Sequence, residues 1–141
     1  MRTAIVVYRS QTGTTRAFAE AIGDHVRARG LAATVVSVGD CDPSTLEGAD
    51  VVLLGCWTGG FMIVAQGPDQ PWRMFVRRMP AIRHARVGLF TTYKLATGSM
   101  FPRMRRELGD KVEAIGLELK SRTDRLTPSH RLDLDRFLDA P

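Results

Sequence analysis

Between the apolar run that opens the chain and its first amphipathic stretch stands Ser10-Gln11-Thr12-Gly13-Thr14-Thr15. Small residues there let the backbone curl until several N–H groups point into one concavity, and the helix that follows adds the positive end of its dipole. The hydroxyls of Ser10, Thr12 and Thr15 can donate further hydrogen bonds to phosphate oxygens. No Lys or Arg interrupts the six residues, so neutral donors would carry the whole charge of a bound dianion. The run reads as a nest for a terminal phosphate. The competing reading is a plain capped turn, since Ser and Thr are favoured N-caps in any helix.

A second group of residues suits a flat ring. Trp57 is followed by Thr58-Gly59-Gly60, an aromatic beside backbone that a ligand can approach closely. The indole can stack on one ring face while backbone N–H groups reach the ring's polar edge. Tyr93 holds the matching place after a later apolar run and can cover the other face. Core packing is the alternative for both aromatics.

Other chemistries lack their residues. No GxxxxGK[ST] is present, and no GxGxxG follows the first apolar run. A small phosphatase would need a cysteine nucleophile near Ser10, and a phospho-acceptor domain would need acids where Tyr8-Arg9-Ser10 and Cys56-Trp57 stand. Cys41 and Cys56 form no CxxC pair and no metal-ligand set with His25, His84 and His130. We expect no metal site and no catalytic acid, base or nucleophile.

The elements that would position these groups follow from the hydrophobic pattern. Thr3–Tyr8 and Asp50–Cys56 are β-branched or continuously apolar, as strands buried on both faces are, and Ala32–Val38 and Arg86–Thr92 read as two further strands. Gly116–Ser121 alternates and suits an edge strand. Phe18, Ile22 and Val26 line one face of a helix ended by Gly30. Further helices are expected at Ser44–Glu47 (short), Gln70–Met79, Ser99–Ile115 and Ser129–Leu138, with a long loop at Trp57–Asp69. Strands alternating with helices predict one α/β domain over residues 1–141, a doubly wound parallel sheet in three layers. Ligands bind such sheets beyond the carboxyl ends of the strands, where the strand order reverses. The loops after the first, third and fourth strands therefore matter most.

The T/S-x-T-G-x-T pattern after the first strand, with Trp57 after the third, resembles the flavodoxin family of short-chain, flavin mononucleotide (FMN)-binding proteins over nearly the whole chain. The resemblance implies five parallel strands in the order 2-1-3-4-5 and FMN as cofactor. It implies phosphate contacts from Ser10, Gln11, Thr12, Gly13, Thr14 and Thr15. It also implies ring contacts from Trp57, Thr58 and Gly59, with Gly60 beside them, and from the loop Thr91–Gly98, which holds Thr91, Thr92, Tyr93 and Gly98. Three features depart from the family's usual pattern. The chain is basic, Phe61-Met62-Ile63-Val64 is apolar, and Tyr93-Lys94-Leu95-Ala96-Thr97-Gly98 lacks the usual glycine and aspartate.

The function this implies is a carrier of one or two electrons on bound flavin. The alternative is an FMN-dependent reductase of a small substrate such as a quinone, fed by NAD(P)H, with Phe61–Val64 flooring its pocket. A porphyrinogen-oxidising relative and a module that kept the fold without flavin are further readings. The net charge of +5 and a pI near 9.9 suit an acidic redox partner. Lys94, Arg103, Arg105 and Arg106 are the cations expected nearest the flavin. The scattered arginines lack interleaved aromatics, so no nucleic-acid role is expected. No apolar run approaches the ~20 residues of a membrane span. The apolar N-terminus is too short for a secretory signal, which gives a cytoplasmic expectation.

Overall fold

The computed structural model describes residues 2–61 and 64–140, with the backbone alone for Gly60, Phe61 and Val64. The first half runs β1 (Thr3–Arg9), α1 (Thr14–Ala28), β2 (Ala32–Ser37), a 3-10 turn (Pro43–Gly48) and β3 (Val51–Trp57). It continues through short strands β4 (Gly59–Phe61) and β5 (Val64–Gly67) to α2 (Gln70–Arg78) and β6 (Arg86–Thr92). The chain then forms α3 (Met100–Leu108), β7 (Ile115–Ser121) and α4 (Pro128–Asp139).

β2-β1-β3-β6-β7 form one sheet, in which every neighbouring pair is parallel. Since, among the described residues, β4 and β5 pair only with each other, this is the expected order 2-1-3-4-5 of the long strands. The apolar runs explain the layering. Val51–Cys56 is buried throughout because both faces of β3 are covered. One face packs beneath α2 and α3 through Val52, Leu54, Trp72, Val76, Met100 and Met104. The other packs beneath α1 and α4 through Val6, Phe18, Ile22, Leu53, Phe90 and Leu134. Edge strand β7 alternates buried and exposed residues, as its sequence does.

Two expectations need correction. The Trp57–Asp69 loop carries the antiparallel pair β4–β5, because its glycines permit a tight pairing that apolar periodicity does not announce. The helix expected over Ser99–Ile115 stops at Leu108, and a 3-10 turn, Gly109–Lys111, replaces its second half. That turn brings the Lys111 ammonium to the carbonyls of Val76, Arg77 and Met79 at 2.7–2.9 Å. A cation thereby satisfies the carbonyl-rich end of α2, which a continued α3 would prevent.

The register places the functional loops. Arg9 pairs with Cys56, Trp57 with Thr92, and Thr92 with Ser121, so the strands end at nearly one level. The chain leaves β1 toward β2 on one side and returns as β3 on the other. The order reverses there, between the loop before α1 and the loop holding Trp57.

Candidate functional site

A cavity of about 310 Å³ opens at this carboxyl edge. Its walls come from three loops: Gln11, Thr12, Thr14 and Thr15 after β1; Trp57, Thr58 and Gly59 after β3; and Thr92, Tyr93, Lys94, Leu95 and Ala96 after β6. Arg122, just past β7, completes the rim. Among the described lining residues Lys94 and Arg122 are the only charged ones, so the cavity is positive and holds no acid.

The first loop turns on Gly13, whose φ of +99° is a left-handed conformation that side chains disfavour. Gly13 is the N-cap of α1, and no side chain caps that end; Asp69 and Thr127 cap α2 and α4. The first turn of α1 carries no acid. An N-terminus with its N–H groups uncapped by side chains and no anion beside it suits phosphate. The hydroxyls are arranged differently from the simplest expectation. Ser10 Oγ accepts the Gly13 N–H at 2.9 Å, which occupies that amide and braces the turn. Thr15 is buried, and its hydroxyl meets that of Thr92 at 2.6 Å. One of the two protons is consumed in that bond, and the other remains for an acceptor in the cavity.

The ring-facing loops are held by a polar layer behind them. Thr91 donates to the Cys56 carbonyl at 2.6 Å, so Thr58 must be the donor in its 2.7 Å bond to Thr91. The Thr58 hydroxyl thus presents lone pairs, and not its proton, to anything bound. The Trp57 indole N–H donates to Asp69 Oδ2 at 2.7 Å. Burial and the neighbouring Asp69 carboxylate push the Cys56 thiol far above its ordinary range, so it stays protonated and inert as a nucleophile. Tyr93 stands at the rim with the Arg122 guanidinium 5.5 Å and the Lys120 ammonium 5.9 Å from its ring centre.

Of the expected residues, Gln11, Thr12, Thr14, Thr15, Trp57, Thr58, Gly59, Thr92 and Tyr93 therefore meet around one cavity. Ser10 and Gly13 shape the loop from behind, Thr91 lies in the supporting layer, and Gly60 continues β4. Gly98 lies elsewhere: its φ is +48°, and a Cβ there would come within 2.3 Å of Gln66 Oε1. Its smallness serves the passage of the chain past β5. The apolar stretch Phe61–Val64 falls partly outside the described residues. Arg105 turns away to Glu118 at 2.8 Å, and Arg103 lies against Gly67, so neither joins the cations at the rim. Arg122 takes that place, at the carboxyl end of the fifth strand. The rule that pointed to the loops after the other strands would have found it.

The sheet and this cavity define an FMN-type α/β fold, and comparison with known proteins agrees. The fold matches the two-electron reduced flavodoxin of Megasphaera elsdenii with a TM-score of 0.76 at 21% identity, over 96% of this chain and 97% of that one. Oxidised flavodoxin 1 of Bacillus cereus matches with a TM-score of 0.74 at 16% identity, over 99% of each chain. In sequence the chain is 32% identical to a flavodoxin of Megasphaera elsdenii over 93 residues, about two thirds of either protein. A sequence model of the flavodoxin family matches residues 6–130. The chain belongs to the flavodoxin family, whose members bind FMN and transfer electrons.

The residues present fit that cofactor. The side-chain-uncapped α1 N-terminus suits its phosphate, and the cavity volume falls within the ~300–1,000 Å³ usual for small-molecule sites. Two aromatics flank the same cavity.

Proposed function

We propose that this chain works as an electron carrier, with the FMN phosphate in the Ser10–Thr15 loop and the ring between Trp57 and Tyr93. The bound flavin supplies the redox chemistry, accepting and releasing electrons; the protein binds, orients and electrostatically tunes it. The observation that carries the reading is the single cavity. It joins the α1 N-terminus to both aromatics and, among the described lining residues, offers no acid, cysteine or histidine. Thr12, Thr14 and the amides of the first helical turn hold the phosphate. Thr58 and Gly59 meet the ring's polar edge, and the Thr15–Thr92 pair offers one proton to the ligand.

The partner in this reading is a redox protein with an acidic face. Leu95, 57% exposed, lines the cavity as an apolar anchor, Lys94 and Arg122 share that lining, and Lys120 and Arg122 set positive charge against Tyr93. Both cysteines are free thiols, which supports a reducing, cytoplasmic location. No helix among the described residues is long and apolar enough to cross a membrane. The family match over residues 6–130 and the continuous sheet support reading the chain as one domain.

Anaerobic stopped-flow mixing of the FMN-loaded protein with NADPH separates carrier from reductase. A carrier is reduced no faster than free FMN, whereas reduction within the time of a catalytic turnover would make this chain a reductase.

A further inference from the structure

We infer that Asp69 is the positioning residue that fixes the plane of Trp57 at the flavin cavity; the inference rests on reading that cavity as the FMN site. Asp69 lies at the N-cap of α2, and its side chain is only 15% exposed. Oδ2 accepts the Trp57 indole N–H at 2.7 Å and the Arg9 Nε–H at 2.8 Å. Oδ1 accepts the Trp72 backbone N–H at 3.3 Å and the Cys56 thiol at 3.7 Å. One carboxylate thus ties the end of β1, the end of β3 and the start of α2 together. Arg9 balances its charge, which keeps an uncompensated anion away from a phosphate site.

The far edge of the indole is also fixed. A Cβ on Gly59 would lie 3.6 Å from Trp57 Cη2 and 3.8 Å from Cζ3, so the benzo edge rests over Gly59. With the pyrrole nitrogen held by Asp69 and the benzo edge by Gly59, both side-chain torsions are set before a ligand arrives. A preset platform spares the binding step the cost of ordering a side chain.

Asp69→Asn isolates this role. Asn is as good an N-cap as Asp, so its single carbonyl oxygen stays with the Trp72 N–H. Its NH2 then faces the indole and guanidinium donors, where nothing accepts. The experiment combines FMN titration with 1H–15N spectra of the apoprotein, for wild type, Asp69→Asn, Trp57→Phe, Trp57→Ala and the double variant Asp69→Asn/Trp57→Phe. Trp57→Phe also assigns the two indole signals. Asp69→Asn should move the Trp57 indole resonance upfield and speed its hydrogen exchange, and leave that of Trp72 in place. FMN affinity should fall about threefold to tenfold, the scale of ordering one side chain on binding. In the Trp57→Phe background the same substitution should change affinity less than about twofold, since the positioned group is gone. An unmoved indole signal, or an equal loss in both backgrounds, overturns the role of Asp69. Wild-type FMN affinity in Trp57→Ala would overturn the ring site itself, and this inference with it.

Discussion

Thr15 and Trp57 show how a residue's type can be legible while its direction is not. The Ser/Thr/Gly run of residues 10–15 announces phosphate through composition and place. Which hydroxyl of the first helical turn faces the sheet depends on Thr92, 77 positions away, and no local pattern records that pairing. Asp69 enters the sequence reading only as the end of the Trp57–Asp69 loop; its cap on α2 and its bond to the indole follow from the fold. Trp57 carries the sharpest prediction at this scale. Trp57→Ala should weaken FMN binding by about 1–3 kcal/mol, the scale of losing an aromatic contact on one ring face. It should also restore flavin fluorescence, because a stacked indole quenches the excited ring. Unchanged affinity with dark flavin, in a fluorimetric titration, would move Trp57 out of the site.

Among the elements, the central strands were readable because strands covered on both faces are apolar runs, and the edge strand β7 because it alternates polar and apolar residues. The hairpin and the early end of α3 were not. Glycine-rich segments carry no period, and Lys111 finds its partners only after α2 has packed beside it. The attachment of α4 is likewise a matter of tertiary partners. Asp135 on α4 accepts from the His25 ring at 2.7 Å and pairs with Arg29, both at the end of α1. The His25 hydrogen bond first, and then Arg29, hold the Asp135 carboxyl below its ordinary value. A carboxyl lowered by folding stabilises the fold fully above its unfolded value of ~3.9, and that stabilisation fades as pH falls through the folded value. Thermal unfolding from pH 7 down to pH 3 should therefore show a Tm advantage of wild type over Asp135→Asn at neutral pH that closes toward pH 3. A gap constant across that range would contradict the linkage.

On the scale of the whole molecule, charge is what sets this chain apart within its family pattern. Arg83 and Arg105 are paired to Glu113 and Glu118 and belong to a solvated surface. Lys94 and Arg122 line the cavity instead, and the Lys120 ammonium lies 5.9 Å from the ring centre of Tyr93 at its rim. Cations within ~10 Å of a flavin bound in this cavity would each contribute a few tenths of a kcal/mol after screening, so these three together would favour the negatively charged reduced flavin by up to about 1 kcal/mol. That corresponds to roughly 40 mV on the second one-electron step. Redox titration should give a second-electron potential less negative than in acidic flavodoxins, and replacing Lys94 and Arg122 by Gln should lower it. The same cations steer an acidic partner, so the association rate should fall as salt is added. A potential as low as in acidic flavodoxins, with a rate indifferent to salt, would show that these cations do not act on the flavin.

The central claim is that one cavity takes the phosphate at the Ser10–Thr15 loop and the ring between the aromatics. The most direct measurement is a paired titration of the apoprotein with FMN and with riboflavin, repeated on Thr12→Asp. Riboflavin keeps the ring and lacks the phosphate. Thr12 is exposed on the cavity wall, and a carboxylate there, ~6 Å from a doubly charged phosphate at an effective dielectric near ~40, costs about 3 kcal/mol. The account predicts FMN bound far more tightly than riboflavin by the wild type, and Thr12→Asp removing that preference while riboflavin affinity stays. Equal affinities in the wild type, or an undiminished FMN preference in Thr12→Asp, would contradict it.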